Sequence, residues 1–181
     1  MTASVVQQGA IAGGDIVGGD KVEAHFHARS APLGIVGQLL AKLQSEIEKS
    51  EHVRETIEAL ARFHLKRSQD GISGLGGRSG EYLTALEKKE MFVKLLERWS
   101  LYASAQEIFA YLLAQAEHKF NYSIHPQIPS LNQVQVNELG ENLIVIPTID
   151  QCGTSVFILN HNVCMGMIYW LAEQCFVRWH R

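Results

Sequence analysis

The sequence lacks most of the signals that mark the common function classes. None of its first 20 residues is Lys or Arg, and no long apolar run stands there, so no secretory signal peptide is expected. The longest apolar stretch, near the C-terminus, falls short of the about 20 apolar residues that cross a bilayer, so no membrane partner is expected. Basic residues are not in excess: 16 Lys and Arg stand against 19 Asp and Glu, for a net charge of −3. With no basic stripe, nucleic acid is not an expected direct partner. Cysteine is scarce and odd in number, with three residues and no CxxC pair. That pattern predicts reduced, buried thiols and a cytoplasmic location. Proline is scarce too, and none falls between Pro32 and Pro126.

The chain of 181 residues suits one compact domain with an appendage. We divide it into residues 1–31 and residues 32–181. The expected fold class is mainly α, a helical domain with a short Gly-Asp-rich β appendage at its N-terminus.

The appendage is the run Ile11 to His25, IAGGDIVGGDKVEAH, a five-residue quasi-repeat. Ile11, Ile16 and Lys21 share one register, and Asp15 and Asp20 another. Glycine at this density disfavours a helix. Gly-Asp steps form turns, and Ile-Val and Lys-Val steps form strands. Two and a half units cannot stand as a solenoid, which needs three or more. Pairing with copies from other chains would supply the missing neighbours. Ile11, Asp15, Ile16, Asp20 and Val22 are therefore the candidates for self-association, as a closed dimer or tetramer. A flexible glycine-rich tail fits the composition equally.

Between the prolines, helical spacing recurs. Val36, Leu39, Leu40, Leu43 and Ile47, then Val53, Ile57, Leu60 and His64, predict one or two helices over 34–68, with Glu, Lys and Arg on the wet face. Residues 69–80 hold five glycines and read as a loop. A second helical block runs from Glu81, with a stripe of Phe92, Leu95, Leu96 and Trp99. Ser104 and Glu107 fit a capping box, opening a helix faced by Phe109, Leu112, Leu113, Ala116 and Phe120. Residues 132–149 read as a hairpin about Gly140-Glu141-Asn142, or Leu131, Val134 and Leu139 belong instead to a short helix. Leu143 to Ile146 reads as a short strand stopped by Pro147.

The organising stretch is His161 to His180. Of the fifteen residues Val163 to Val177, twelve are apolar, so this helix should be buried on more than one side. Asn160 or Asn162 would cap it. Gly166 would let a neighbouring helix come close, and Glu173 would sit at the rim. Tyr169, Trp170 and Trp179 are core aromatics. Trp179, near the chain end with Arg181, is also a contact candidate, since Trp, Tyr and Arg anchor interfaces.

Catalytic patterns are weak, and no catalytic residue is assigned. Gly74, Gly76 and Ser79 miss the third glycine of a dinucleotide fingerprint, and no GK[ST] follows. A cysteine hydrolase would need His161 with Cys152, Cys164 or Cys175, yet Cys164 and Cys175 sit in apolar surroundings where a thiol is inert. Zinc would need His25, His27, His161 and Cys164 to converge, and calcium-binding Gly-Asp repeats have a different period. No metal and no cofactor are expected.

Three stretches carry a family resemblance: IVGGDKV, then KRSQDGISGLGGRSGEYLTALEKKEMFVKLLERWSLYASAQEIFAYLLAQAEHKF, then NHNVCMGMIYWLAEQCFVRWH. Together they resemble the C-terminal domain of bacterial ABC-three-component, Lamassu-like anti-phage defence proteins. The resemblance implies a non-enzymatic adaptor that links an effector to an SMC-like ABC ATPase and a middle component. In that family an effector domain usually precedes such a module. Here ten residues precede the repeat, so the chain reads as a standalone adaptor or an excised piece. The competing expectation is a signalling module whose GGD repeat templates cross-β stacking into fibres.

Overall fold

Two helices buried on nearly every side, α4 and α7, set the architecture. A computed structural model describes residues 34–65, 82–153 and 156–179. These lie in one compact unit, Leu33–Arg181. Every regular element among the described residues is helical. The expected mainly α class is therefore what forms. The expected β appendage, with Ile11, Asp15, Ile16, Asp20, Val22, His25 and His27, lies outside the described residues, as does the glycine loop 69–80.

α1 (Ile35–Lys49) buries Val36, Leu40, Leu43 and Glu46, one face at helical spacing. It ends on Ser50 in the left-handed conformation, φ 54°, and Glu51 N–H donates to the Glu46 carbonyl. α2 (Glu58–His64) buries Leu60 and Phe63. α3 (Tyr82–Trp99) buries Ala85, Lys89, Phe92 and Leu96. α4 (Ala103–Lys119) buries residues on all sides, Phe109, Leu112 and Leu113 among them, and touches α1, α2, α3 and α7.

Two expectations about polar residues at this end fail together. Ser104 makes no capping box with Glu107, because the N-cap of α4 is Tyr102, which gives no side-chain cap. Nor is the whole polar face of α1 wet: Glu46 is only 6% exposed. Its carboxylate accepts from Ser104 N–H at 3.1 Å and from the Ser104 hydroxyl at 2.6 Å. A carboxylate from α1 thus caps α4 across the tertiary contact, where the helix dipole favours negative charge. Glu107 instead pairs with Lys42 at the surface, 3.7 Å apart.

After α4 the chain widens into a π turn, Phe120–Ile124, then tightens into a 3-10 turn, His125–Ser130, around Pro126 and Pro129. α5 (Gln133–Gly140) follows, opened by a capping box. Asn132 Oδ1 accepts from Gln135 N–H, and Gln135 Oε1 accepts from Asn132 N–H, each at 3.0 Å. A second π turn, Glu141–Val145, leads directly into α6 (Ile146–Cys152). The hairpin and the Leu143 to Ile146 strand are therefore replaced by helix. The physical reason is that Pro147 stands in the first turn of α6, where a missing N–H is tolerated. The π turn before it absorbs the register change.

α7 (His161–Glu173) is capped by Asn160, whose Oδ1 accepts from Val163 N–H at 3.0 Å. Every residue from Val163 to Ala172 is buried, as an all-round apolar helix requires. The helix is shorter than the apolar stretch that carries it. It ends at Glu173, and Cys175 turns left-handed at φ 61°. Phe176, Val177 and Trp179 are buried beyond that turn.

α3 and α7 form the most extensive helix pair. A Cβ built on Gly166 would lie 2.0 Å from the Lys88 carbonyl oxygen, so the close approach depends on glycine. Lys89 and Glu173 close the same contact at 3.2 Å, with Glu90 2.9 Å from the same ammonium. Burial opposes the charge on Lys89, but its two carboxylate partners outweigh that and hold it above the ordinary lysine range. Phe92 joins the layers, its ring 5.8 Å from that of Trp170 and 6.1 Å from that of Phe109.

Candidate functional site

Among the described residues, an arrangement with the residue types for chemistry lies where α6, α7 and the second π turn meet. His161 is the first residue of α7, and its Nε2 stands 2.9 Å from Glu141 Oε1 in an exposed pair. Cys164 lies three residues on, within the first turn, and points into the core at 2% exposure, as does Cys152 at the end of α6. Burial pushes the Cys152 thiol up from 9.0 to about 11. Burial, with Cys152 and Glu141 nearby, pushes Cys164 up to about 12. Both are protonated at neutral pH, and a protonated thiol is a poor nucleophile. Helical spacing had brought His161 and Cys164 to one face, but the imidazole pairs outward with Glu141 and the thiol faces inward.

Cys175 departs from the expected apolar burial. It is half-buried, in the left-handed turn that ends α7. Among the described residues no group of three or more His, Cys, Asp or Glu is placed to hold a metal ion.

The two tryptophans singled out for fold or docking are both interior. Trp170 lies between α2 and α3, its ring 5.5 Å from that of His64 as well as close to Phe92. Trp179 does not reach the surface. It is 5% exposed and packs edge-on against Phe120, ring centres 4.8 Å apart, with Tyr169 at 6.0 Å. The segment after α7 folds back to cover this face, which withdraws the indole from solvent.

Five polar residues are buried among the described ones, Glu46, Lys89, Ser104, Gln106 and Thr148, and the hydrophobic pattern assigned none of them to the core. Gln106 accepts from Ile57 N–H at 2.7 Å and donates to the carbonyls of Glu55 and Ser100 at 3.2 and 2.6 Å. One amide thereby ties the α1–α2 connection to the α3–α4 turn. A signal was present. Gln106 falls in register with Phe109, Leu113, Ala116 and Phe120, and Lys89 with Ala85, Phe92 and Leu96.

The outer surface carries open grooves of mixed lining. One of about 410 Å³, bordered by Thr84, Lys88, Asn137, Glu141, Met165 and Tyr169, runs between α3, α5 and α7. Another of similar size is bordered by Arg62, Glu117, His118 and Tyr122. Several large apolar side chains are exposed, Leu83, Met91, Tyr122, Val134 and Ile158 among them.

Residues 74–179 match the family model of C-terminal domain 9 of the ABC-three component (ABC-3C) systems. The match begins in the glycine-rich stretch and takes in α3 through α7 and the segment to Trp179. No curated protein and no solved structure matches the chain.

Proposed function

The chain belongs to the C-terminal domain 9 family of the ABC-three component systems, and on that premise we propose that it is a non-enzymatic assembly and adaptor module of such a system. In this reading it links an effector to an SMC-like ATPase and a middle component in anti-phage defence. Ile11, Asp15, Ile16, Asp20 and Val22 carry self-association into a dimer or tetramer, and residues 34–179 form the docking body. The observation that carries the reading is the family match over residues 74–179. The protonation of Cys152 and Cys164 at neutral pH supports a non-enzymatic role.

The test is co-expression of the full chain with the ATPase and middle component of one ABC-3C system, followed by size exclusion with light scattering. A stable complex of defined stoichiometry is expected. A chain that elutes apart from them, as a monomer or as a homo-oligomer, with both other components folded in the same sample, refutes the adaptor role.

A further inference from the structure

The inner face of α3 is committed to α7, but its outer face presents an ordered stripe: Leu83, Glu87, Met91, Lys94 and Arg98, all exposed. The spacing of four, four, three and four residues holds them on one side of the helix. Leu83 is 71% and Met91 41% exposed. At 18 residues α3 is about 27 Å long, at 1.5 Å per residue.

The stripe can be matched against a copy of itself. An isologous contact across a two-fold axis requires that if residue i meets residue j, then j meets i. Set α3 antiparallel to a second α3, with the axis passing between Glu90 and Met91. Glu87 then faces Lys94 twice, once on each side of the axis. Leu83 faces Arg98, whose aliphatic stem covers apolar surface while its head stays wet. Glu90 faces Met91, and Thr84 faces Glu97. Glu90 and its copy stand nearest the axis, each already paired within its own chain with Lys89 at 2.9 Å. Moving the axis one turn toward the N-terminus sets Glu87 against its own copy. Moving it half a turn the other way carries Leu83 past the end of the opposing helix.

We propose that a second copy of this chain packs antiparallel on the outer face of α3, with Glu87 of each copy against Lys94 of the other. This contact is separate from the N-terminal repeat. One two-fold contact alone gives a dimer, and a second closes a tetramer when the two axes are perpendicular and intersect.

Charge reversal in the full chain tests it. Like charges across an interface are strongly unfavourable. Glu87→Lys and Lys94→Glu should therefore each weaken association by about tenfold or more, read as mass against concentration by sedimentation equilibrium. The combination Glu87→Lys with Lys94→Glu in one chain should restore it. So should mixing the two single variants, because both cross pairs are then opposite in sign. Restoration on mixing also shows that each single variant is folded. Single variants that associate like the wild type overturn the proposal. So do single variants whose weakened association neither the combination nor the mixture restores. Neither result bears on the N-terminal repeat, which deletion tests separately.

Discussion

Replacing Gly166 by Ala sets two effects of opposite sign against each other, and the structure decides between them. In an exposed helix interior the change gains about 1 kcal/mol in helix propensity. At Gly166 the new methyl would stand 2.0 Å from the Lys88 carbonyl oxygen, 2.7 Å from the Lys88 carbonyl carbon and 3.2 Å from Phe92 Cβ. Two of these obstacles are backbone, so no rotamer change relieves them. α3 and α7 would have to part by more than an ångström along their shared contact. Overpacking a core typically costs about 1–3 kcal/mol, and a backbone clash belongs at the upper end. The net expectation is a loss of about 2 kcal/mol. For a domain of this size that lowers Tm by roughly 4–8 °C. Gly140 supplies the control. It is also helical and buried, yet nothing lies within 4 Å of a Cβ built on it. Gly140→Ala should raise stability by up to about 1 kcal/mol. Urea melts of the two variants should therefore move in opposite directions. If Gly166→Ala is as stabilising as Gly140→Ala, the α3–α7 contact is not the close packing described.

Three further outcomes follow from the core. Trp170→Ala should destabilise by about 3–5 kcal/mol in urea melts, since its ring packs on Phe92 and His64; an unchanged melt would remove α7 from the centre of the fold. Glu46→Ala should cost about 2–3 kcal/mol through two lost hydrogen bonds to a charged group, while Glu107→Ala stays within about 0.5 kcal/mol; the reverse order would restore the local capping box. Cys152 and Cys164 have folded pKa values raised to about 11 and about 12 from 9.0. Their contribution is complete below pH 9 and is lost as pH rises toward 11 and 12, because the unfolded chain releases those protons first. Stability should fall across that window, and Cys164→Ala should show a shallower fall than the wild type.

The helical body was legible because its signal is apolar periodicity, and tertiary packing follows that signal where stripes are long. Phe109, Leu112, Leu113, Ala116 and Phe120 are buried as their spacing predicts, and Asn160 caps α7 as its side chain allows. Of the two readings of 132–149, the short helix forms, as α5 (Gln133–Gly140); the rest up to Cys152 did not read as helix because Pro147 and Gly140 are ordinarily breakers. A π turn lets the chain pass both, and no single-residue propensity encodes that. The capping box at Asn132 and Gln135 was written in the sequence and outranks the one assigned to Ser104 and Glu107. Ser104 fits the local pattern as well, but Glu46, 58 positions away, takes its hydrogen bonds. Local patterns cannot show which distant carboxylate arrives. The same limit applies to the site. Spacing placed His161 and Cys164 on one helix face, but only packing decides that one turns outward and the other inward.

The self-association proposed for this chain is tested most directly at residues 1–27, which contain the Gly-Asp repeat. Light scattering on the purified full chain and on a variant lacking those residues measures it in one step. The account predicts a defined oligomer for the full chain, a lower mass for the truncated one, and an unchanged helical circular dichroism signal. A truncated chain that keeps the full-length mass would contradict it and move self-association away from Ile11, Asp15, Ile16, Asp20 and Val22.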